Sequence, residues 1–198
     1  MRALLLLSLT AIACSDDRSA VTQADPHALA SARMETRAAA GLSVSSPAFA
    51  ADGAIPLRFS AYGEGRSPPL QWSGLPPGTR SLVLMMEDPD APSDRPFVHW
   101  LAWNIDPAAT GLPEGLPSGA EVQHPVALRQ GLNDRRSVGY FGPRPPGSRP
   151  HHYHFQLFAL DIRLELAGGA DRDALLAAIR GHVLAKGDLV GLFGRPRR

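Results

Sequence analysis

Two dense apolar runs stand out along the chain, Leu82 to Met86 and Val98 to Ile105, the second interrupted only by His99 and Asn104. Five consecutive apolar residues suit a strand buried on both faces or a short core helix. The flanking prolines and the length of the run favour the strand. Between the runs lie Asp88, Asp90 and the prolines Pro89, Pro92 and Pro96. Each proline fixes its own φ and restricts the residue before it, so this loop has little freedom to lose on folding. Two readings of its carboxylates stay open. Either Asp88 and Asp90 make ordinary turn hydrogen bonds, or the stiff loop holds them beside the strand-borne His99 as part of a site.

The rest of the pattern is mostly short and extended. Leu57 to Tyr62 alternates as a half-buried strand does, and Ser67 to Trp72 reads as another extended piece. Residues 107–137 are rich in Gly, Pro and polar types without a firm period; a loop of that length is functional or packed over something. His151 to Ile162 predicts a strand whose equal-parity residues share a face. His151, Tyr153, Phe155, Leu157 and Ala159 then point toward the core, with His151 and Tyr153 at its rim. His152 and His154 fall on the other face, solvated or on the sheet surface. Asp171 to Lys186 predicts the one convincing helix: an Asp cap, Leu175, Leu176, Ile179 and Val183 on one side, His182 near its end and Gly187 closing it. Leu189 to Phe193 reads as a last strand. Many short strands with one late helix predict an all-β fold with a minor helix, a two-sheet antiparallel β-sandwich with a C-terminal helix. A parallel α/β sheet would need a helix between most strand pairs, and the middle of the chain has none.

Composition sets limits. The 198 residues suffice for one sizeable domain, and 19 prolines with 19 glycines favour loops and short strands over long helices. A net charge of +1 gives no electrostatic case for nucleic acid. The start, MRALLLLSLTAIAC, reads as an export signal: Arg2, an apolar segment Leu4 to Leu9 too short to span a bilayer, and small residues before Cys14. Ala11-Ile12-Ala13-Cys14 resembles the bacterial lipobox, although leucine is usual where Ala11 stands. Cys14 is also the single cysteine, so no intrachain disulfide exists, and lipid attachment explains it better than a free thiol does. The expected organisation is a signal peptide at 1–14, a flexible tether at 15–42 and a folded domain at 43–198. Such a protein is exported and membrane-anchored through lipid alone, facing the periplasm or cell surface.

Several spaced motifs then carry a resemblance. Asp88-Pro89-Asp90-Ala91-Pro92, His99-Trp100, Gly139-Tyr140-x-Gly142-Pro143-x-Pro145-Pro146 and Pro150-His151-x-Tyr153-x-Phe155 occur in this order, preceded by Ser67-Pro68-Pro69-Leu70-x-Trp72. Together they resemble the phosphatidylethanolamine-binding protein family, and within it the bacterial branch described as Raf kinase inhibitor-like. The likeness runs from about Ser43 to Arg195. It implies a β-sandwich with a small anion pocket at one end, in which Asp88, His99, His151 and Tyr153 match pocket residues and Gly142 and Pro145 match its wall. Arg144 stands where bacterial members usually carry a small residue or cysteine, and His152 where arginine is usual.

The chemistry of such a pocket follows from its groups. Imidazole and glycine-flanking backbone N–H groups donate to a phosphate, and Asp88 orients a histidine or pairs with an ammonium. The expected function is therefore the binding of a small anionic or phosphorylated, head-group-type ligand, with no cofactor, no metal and no catalysis; a homodimer is left open. A protein-interaction or inhibitor module is the alternative. A metal-dependent hydrolase using Asp88, Asp90, His99 and His151 is a third reading, weakened because strand alternation splits His151, His152 and His154 between two faces and because no Gly-x-Ser-x-Gly elbow is present.

Overall fold

The computed structural model describes residues 28–37 and 41–197. The signal-peptide and Cys14 readings lie outside the described residues. Among the described residues, ten strands follow in chain order: β1 (Ser43–Ser45), β2 (Gly53–Ala54), β3 (Leu70–Ser73), β4 (Ser81–Asp88), β5 (Phe97–Ile105), β6 (Gly111–Leu112), β7 (Glu121–Val122), β8 (Leu128–Gln130), β9 (His151–Leu160) and β10 (Val183–Phe193). One helix, α1 (Arg172–Ile179), precedes β10. The strands form a seven-stranded sheet in the order β2-β10-β9-β4-β5-β8-β7 and a three-stranded sheet β1-β3-β6. All pairings are antiparallel except the short β2–β10 contact, which is parallel.

β4 is central and buried along its whole length. Its alternation splits the core in two. Leu82, Leu84 and Met86 pack between the sheets with Trp72, Trp100, Phe155 and Leu157. Val83 and Met85 face the other way, under Leu175, Leu176 and Ile179 of α1. The two-sheet sandwich with a late helix is thus the observed architecture. Both faces of the large sheet are covered, so its central strands are apolar on both sides.

Four local expectations need correction. Leu57–Phe59 is a 3-10 turn, not a strand, and Leu57 is 51% exposed. Pro56 sets the entry, while the Ser60 hydroxyl donates to the Leu57 carbonyl and accepts from the Tyr62 N–H, local bonds that replace a ladder. The helix ends at Ile179, because Gly181 adopts φ +79° and turns the chain into β10. Val183 and Gly187 therefore belong to that strand, and His182 sits in the turn with Nδ1 2.9 Å from Asp161. The Asp171 cap is as expected, accepting from the Ala174 N–H.

The long segment after β5 is not structureless. It contributes β6, β7 and β8, and it is pinned by the buried Gln130, which accepts from Trp100 Nε1 and donates to the carbonyls of Pro117 and Gly119.

The stretch assigned to the tether also does more than link. Residues 28–37 lie on the helix side of the large sheet, with Ala30 and Met34 buried in that core. The Ala30 N–H donates to Glu87, the Ser31 N–H to Gln156, and Lys186 donates to the carbonyls of Ser31 and Met34. Glu87, fully buried, is neutralised by Arg172 Nε at 2.5 Å and also accepts from Gln156. Removing one partner of a buried pair leaves a charge without compensation, at about 3–5 kcal/mol. Arg172→Met is therefore expected to lower the melting temperature by about 10 °C, with part of the loss recovered in Glu87→Gln/Arg172→Met; an unchanged melting temperature would show the pair is not formed.

Candidate functional site

β4 runs antiparallel to both β5 and β9, so its C-terminal end meets the beginnings of those two strands. This brings Asp88, His99 and His151 together from three separate stretches of sequence. They line one cavity of about 340 Å³, with Pro92, Phe97, Phe141 and Pro145 among its other walls.

His99 reaches it by an irregularity. In the β4–β5 ladder Met86 pairs with Trp100 and Glu87 with Val98, so His99 has no partner on β4. A residue inserted in this way is a β-bulge, which shifts the side-chain alternation by one. Trp100 and Ala102 consequently face the inter-sheet core and Val98 and Leu101 the helix side, while His99 points into the cavity on the same side as Trp100. A second bulge leaves Asn104 unpaired at φ +57°, and its side chain exchanges hydrogen bonds with the Leu164 backbone. The two polar residues that interrupt the apolar run are thus its two bulges.

The imidazoles are each fixed through Nδ1. His99 Nδ1 donates to the Phe141 carbonyl at 2.7 Å, and the Phe141 N–H returns a bond to the His99 carbonyl. That arrangement leaves Nε2 as the ring nitrogen free to meet a ligand. His151 Nδ1 lies 2.9 Å from Asp88 Oδ2. Asp88 Oδ1 accepts from the Asp90 N–H, so both readings of this carboxylate hold at once: it makes a turn bond and it orients a histidine. Asp90 itself turns outward to the backbone and ring of His152. His154 pairs with Asp188 on the same outer face, as strand alternation requires.

Burial sets the electrostatics. His99 is 3% exposed, and loss of water holds its pKa down at about 4, against the Phe141 bond, which favours the cation; His151 adds to the lowering. Asp88 is also 3% exposed, and burial raises its pKa, opposed by the hydrogen bond and charge of His151. Tyr153 sits between the two rings, edge-on to His99 at 5.1 Å and stacked on His151 at 6.4 Å. Burial first, and then the Asp88 charge, raises its phenol. Its hydroxyl has no hydrogen-bond partner among the described residues.

The expected wall divides into two roles. Pro145 lines the cavity; Gly142 does not. A Cβ on Gly142 would lie 2.5 Å from the Phe59 carbonyl oxygen, so glycine is what allows the loop to seat on the Leu57–Phe59 turn. Tyr140 and Tyr62 hydroxyls, donating to Phe59 and Pro145 carbonyls, hold that seat. Phe97, Phe141 and Arg135 also line the cavity and were not singled out from sequence. Only the Phe-x-His spacing at the head of β5 could have pointed to Phe97.

Fold and site together define a β-sandwich with a charged, histidine-bearing pocket where three central strands begin or end. The sequence-family model for phosphatidylethanolamine-binding protein matches residues 45–194, and the chain belongs to that family. Among curated relatives, a UPF0098 protein of Pyrococcus horikoshii is 47% identical over 71% of this chain and 71% of its own length. A UPF0098 protein of Chlamydia trachomatis is 36% identical over 77% of this chain and 98% of its own. The solved structure of a phosphatidylethanolamine-binding protein homologue from Chlamydia trachomatis superposes with a TM-score of 0.70 at 35% identity, covering 79% of this chain and 99% of that one. Escherichia coli YbcL, described as a member of the mammalian family, gives 0.70 at 27% identity, covering 78% and 99%.

The depressed His99 pKa makes a stability statement. Between its ordinary 6.5 and about 4, the unfolded chain binds a proton there that the folded chain does not, so stability falls as pH falls through this window. The full loss is on the order of 3 kcal/mol. Asp88 acts in the opposite sense just above its ordinary 3.8, in wild type and variant alike. Urea unfolding at pH 7 and pH 4.5 is expected to show that His99→Gln loses much less stability on acidification than wild type; parallel losses would contradict the assignment.

Proposed function

We propose that the chain binds a small phosphorylated or otherwise anionic ligand in this cavity, and that it does so as an exported, lipid-anchored protein without catalysing a reaction on it. The observation that carries the binding reading is the convergence of two imidazoles, each tied through Nδ1, on one open-mouthed cavity, with neither Nε2 bonded to a described residue. A phosphate oxygen beside His99 Nε2 forms a charge-assisted hydrogen bond, and its negative charge favours the imidazolium that burial alone disfavours. The Asp88–His151 pair also has the shape of an oriented base, but the described lining residues offer it no free side-chain nucleophile. Ser93, the hydroxyl residue among the described lining residues, donates to the Arg95 carbonyl within its own loop. That disfavours covalent catalysis through a side-chain hydroxyl. Export and anchoring rest on the first fourteen residues: a basic start, an apolar stretch and Cys14 after Ala-Ile-Ala.

Phenyl phosphate tests the binding reading, because at pH 7.5 it is largely a dianion with no proton of its own to share. Calorimetry in buffers of different ionisation enthalpy is expected to show uptake of about one proton on binding. His99→Ala and His151→Ala should each weaken binding by about tenfold or more. Heats that do not depend on the buffer, or full affinity in both variants, would defeat the reading.

A further inference from the structure

We propose that the occupant of this cavity carries two negative groups, one met by the imidazoles of the buried His99 and the partly buried His151 and the other by a pair of arginines at the rim, joined by a flat apolar spacer. The proposal rests on the anion-binding reading above and adds the class of ligand. The charged groups of the cavity are sorted by depth. Asp88 and His99 are buried at its base, whereas Arg135 and Arg144 line it from exposed positions at the mouth. The base carboxylate is already matched by His151. The two guanidinium groups are not matched: neither makes a hydrogen bond or an ion pair with another described side chain, and Arg135 instead lies over the Phe141 ring at 5.6 Å. Two unpaired cations facing one opening present a fork for a carboxylate or a phosphate at that level.

What lies between base and rim is apolar. Phe97, Phe141, Pro92 and Pro145 form the walls, and Phe141 is stacked parallel to His99, 11° between planes at 5.6 Å. A bare phosphate would leave most of this apolar wall wet. A planar ring bearing an acid at each end would cover the wall and meet both sets of cations.

The matched probes are phenyl phosphate and 4-carboxyphenyl phosphate, titrated by calorimetry into the full chain at pH 7.5 and low salt. The second is expected to bind about tenfold more tightly than the first, and Arg135→Gln/Arg144→Gln should bring the ratio of the two affinities close to one, whatever it does to phenyl phosphate itself. Both arginines are exposed, so the variant is expected to fold as wild type does. Equal affinity of the two probes in wild type would overturn the two-ended ligand while leaving the anion site standing. A preference that survives in the double variant would also overturn it, because the second acid would then be held elsewhere. If neither probe binds, the anion site fails and this proposal with it.

Discussion

A β-strand sends successive side chains to opposite faces, and β5 must break that rule to serve both core and site. Trp100 has to face the inter-sheet core, yet His99, its neighbour, has to reach the cavity on that same side of the sheet. The bulge at His99 solves this by adding one residue that β4 does not pair. Everything else at the site depends on that placement. The 139–147 loop reaches His99 through paired backbone and side-chain bonds to Phe141, and the loop is in turn seated on the Leu57–Phe59 turn through Gly142.

The same alternation, where it is kept, separates structure from chemistry on β4. Glu87 and Asp88 are adjacent and both buried, but they point to opposite sides of the sheet. Glu87 goes to the helix side, where Arg172, Gln156 and the Ala30 N–H satisfy it completely as part of the scaffold. Asp88 goes to the cavity, where His151 and one backbone N–H satisfy it, and the far ring nitrogen of His151 makes no bond to a described residue. Two neighbouring carboxylates with the same burial thus hold different offices because each meets a different partner.

Much of this was legible in the sequence. The doubly apolar run of β4, the parity of β9 and the late position of the helix led to the sandwich without coordinates. Asp88, His99, His151 and Pro145 do line one cavity, and Tyr153 packs against both imidazoles without lining it. What escaped was tertiary in origin. Leu57 to Tyr62 has strand periodicity, but Pro56 and the Ser60 hydroxyl give it local bonds that compete with a ladder. Val183 fits the helix face as well as the strand, and only the left-handed turn at Gly181 decides between them. Ala30 and Met34 carry too little apolar surface to announce that they dock. Arg135 and Phe141 sit in a loop whose path is set by the His99 bulge, and no spacing rule shows a bulge before the partner strand is known.

The most direct test of the central claim is nitrogen NMR of the His99 ring. The account requires a neutral imidazole carrying its proton on Nδ1, held there by the Phe141 carbonyl, and still neutral at pH 5.5 in the free protein. The Nε2 resonance should then respond strongly when phenyl phosphate is added. A ring protonated on Nε2 in the free protein, or one that titrates near 6.5 and ignores the ligand, would show that the bulge does not deliver His99 to the cavity and would contradict the account.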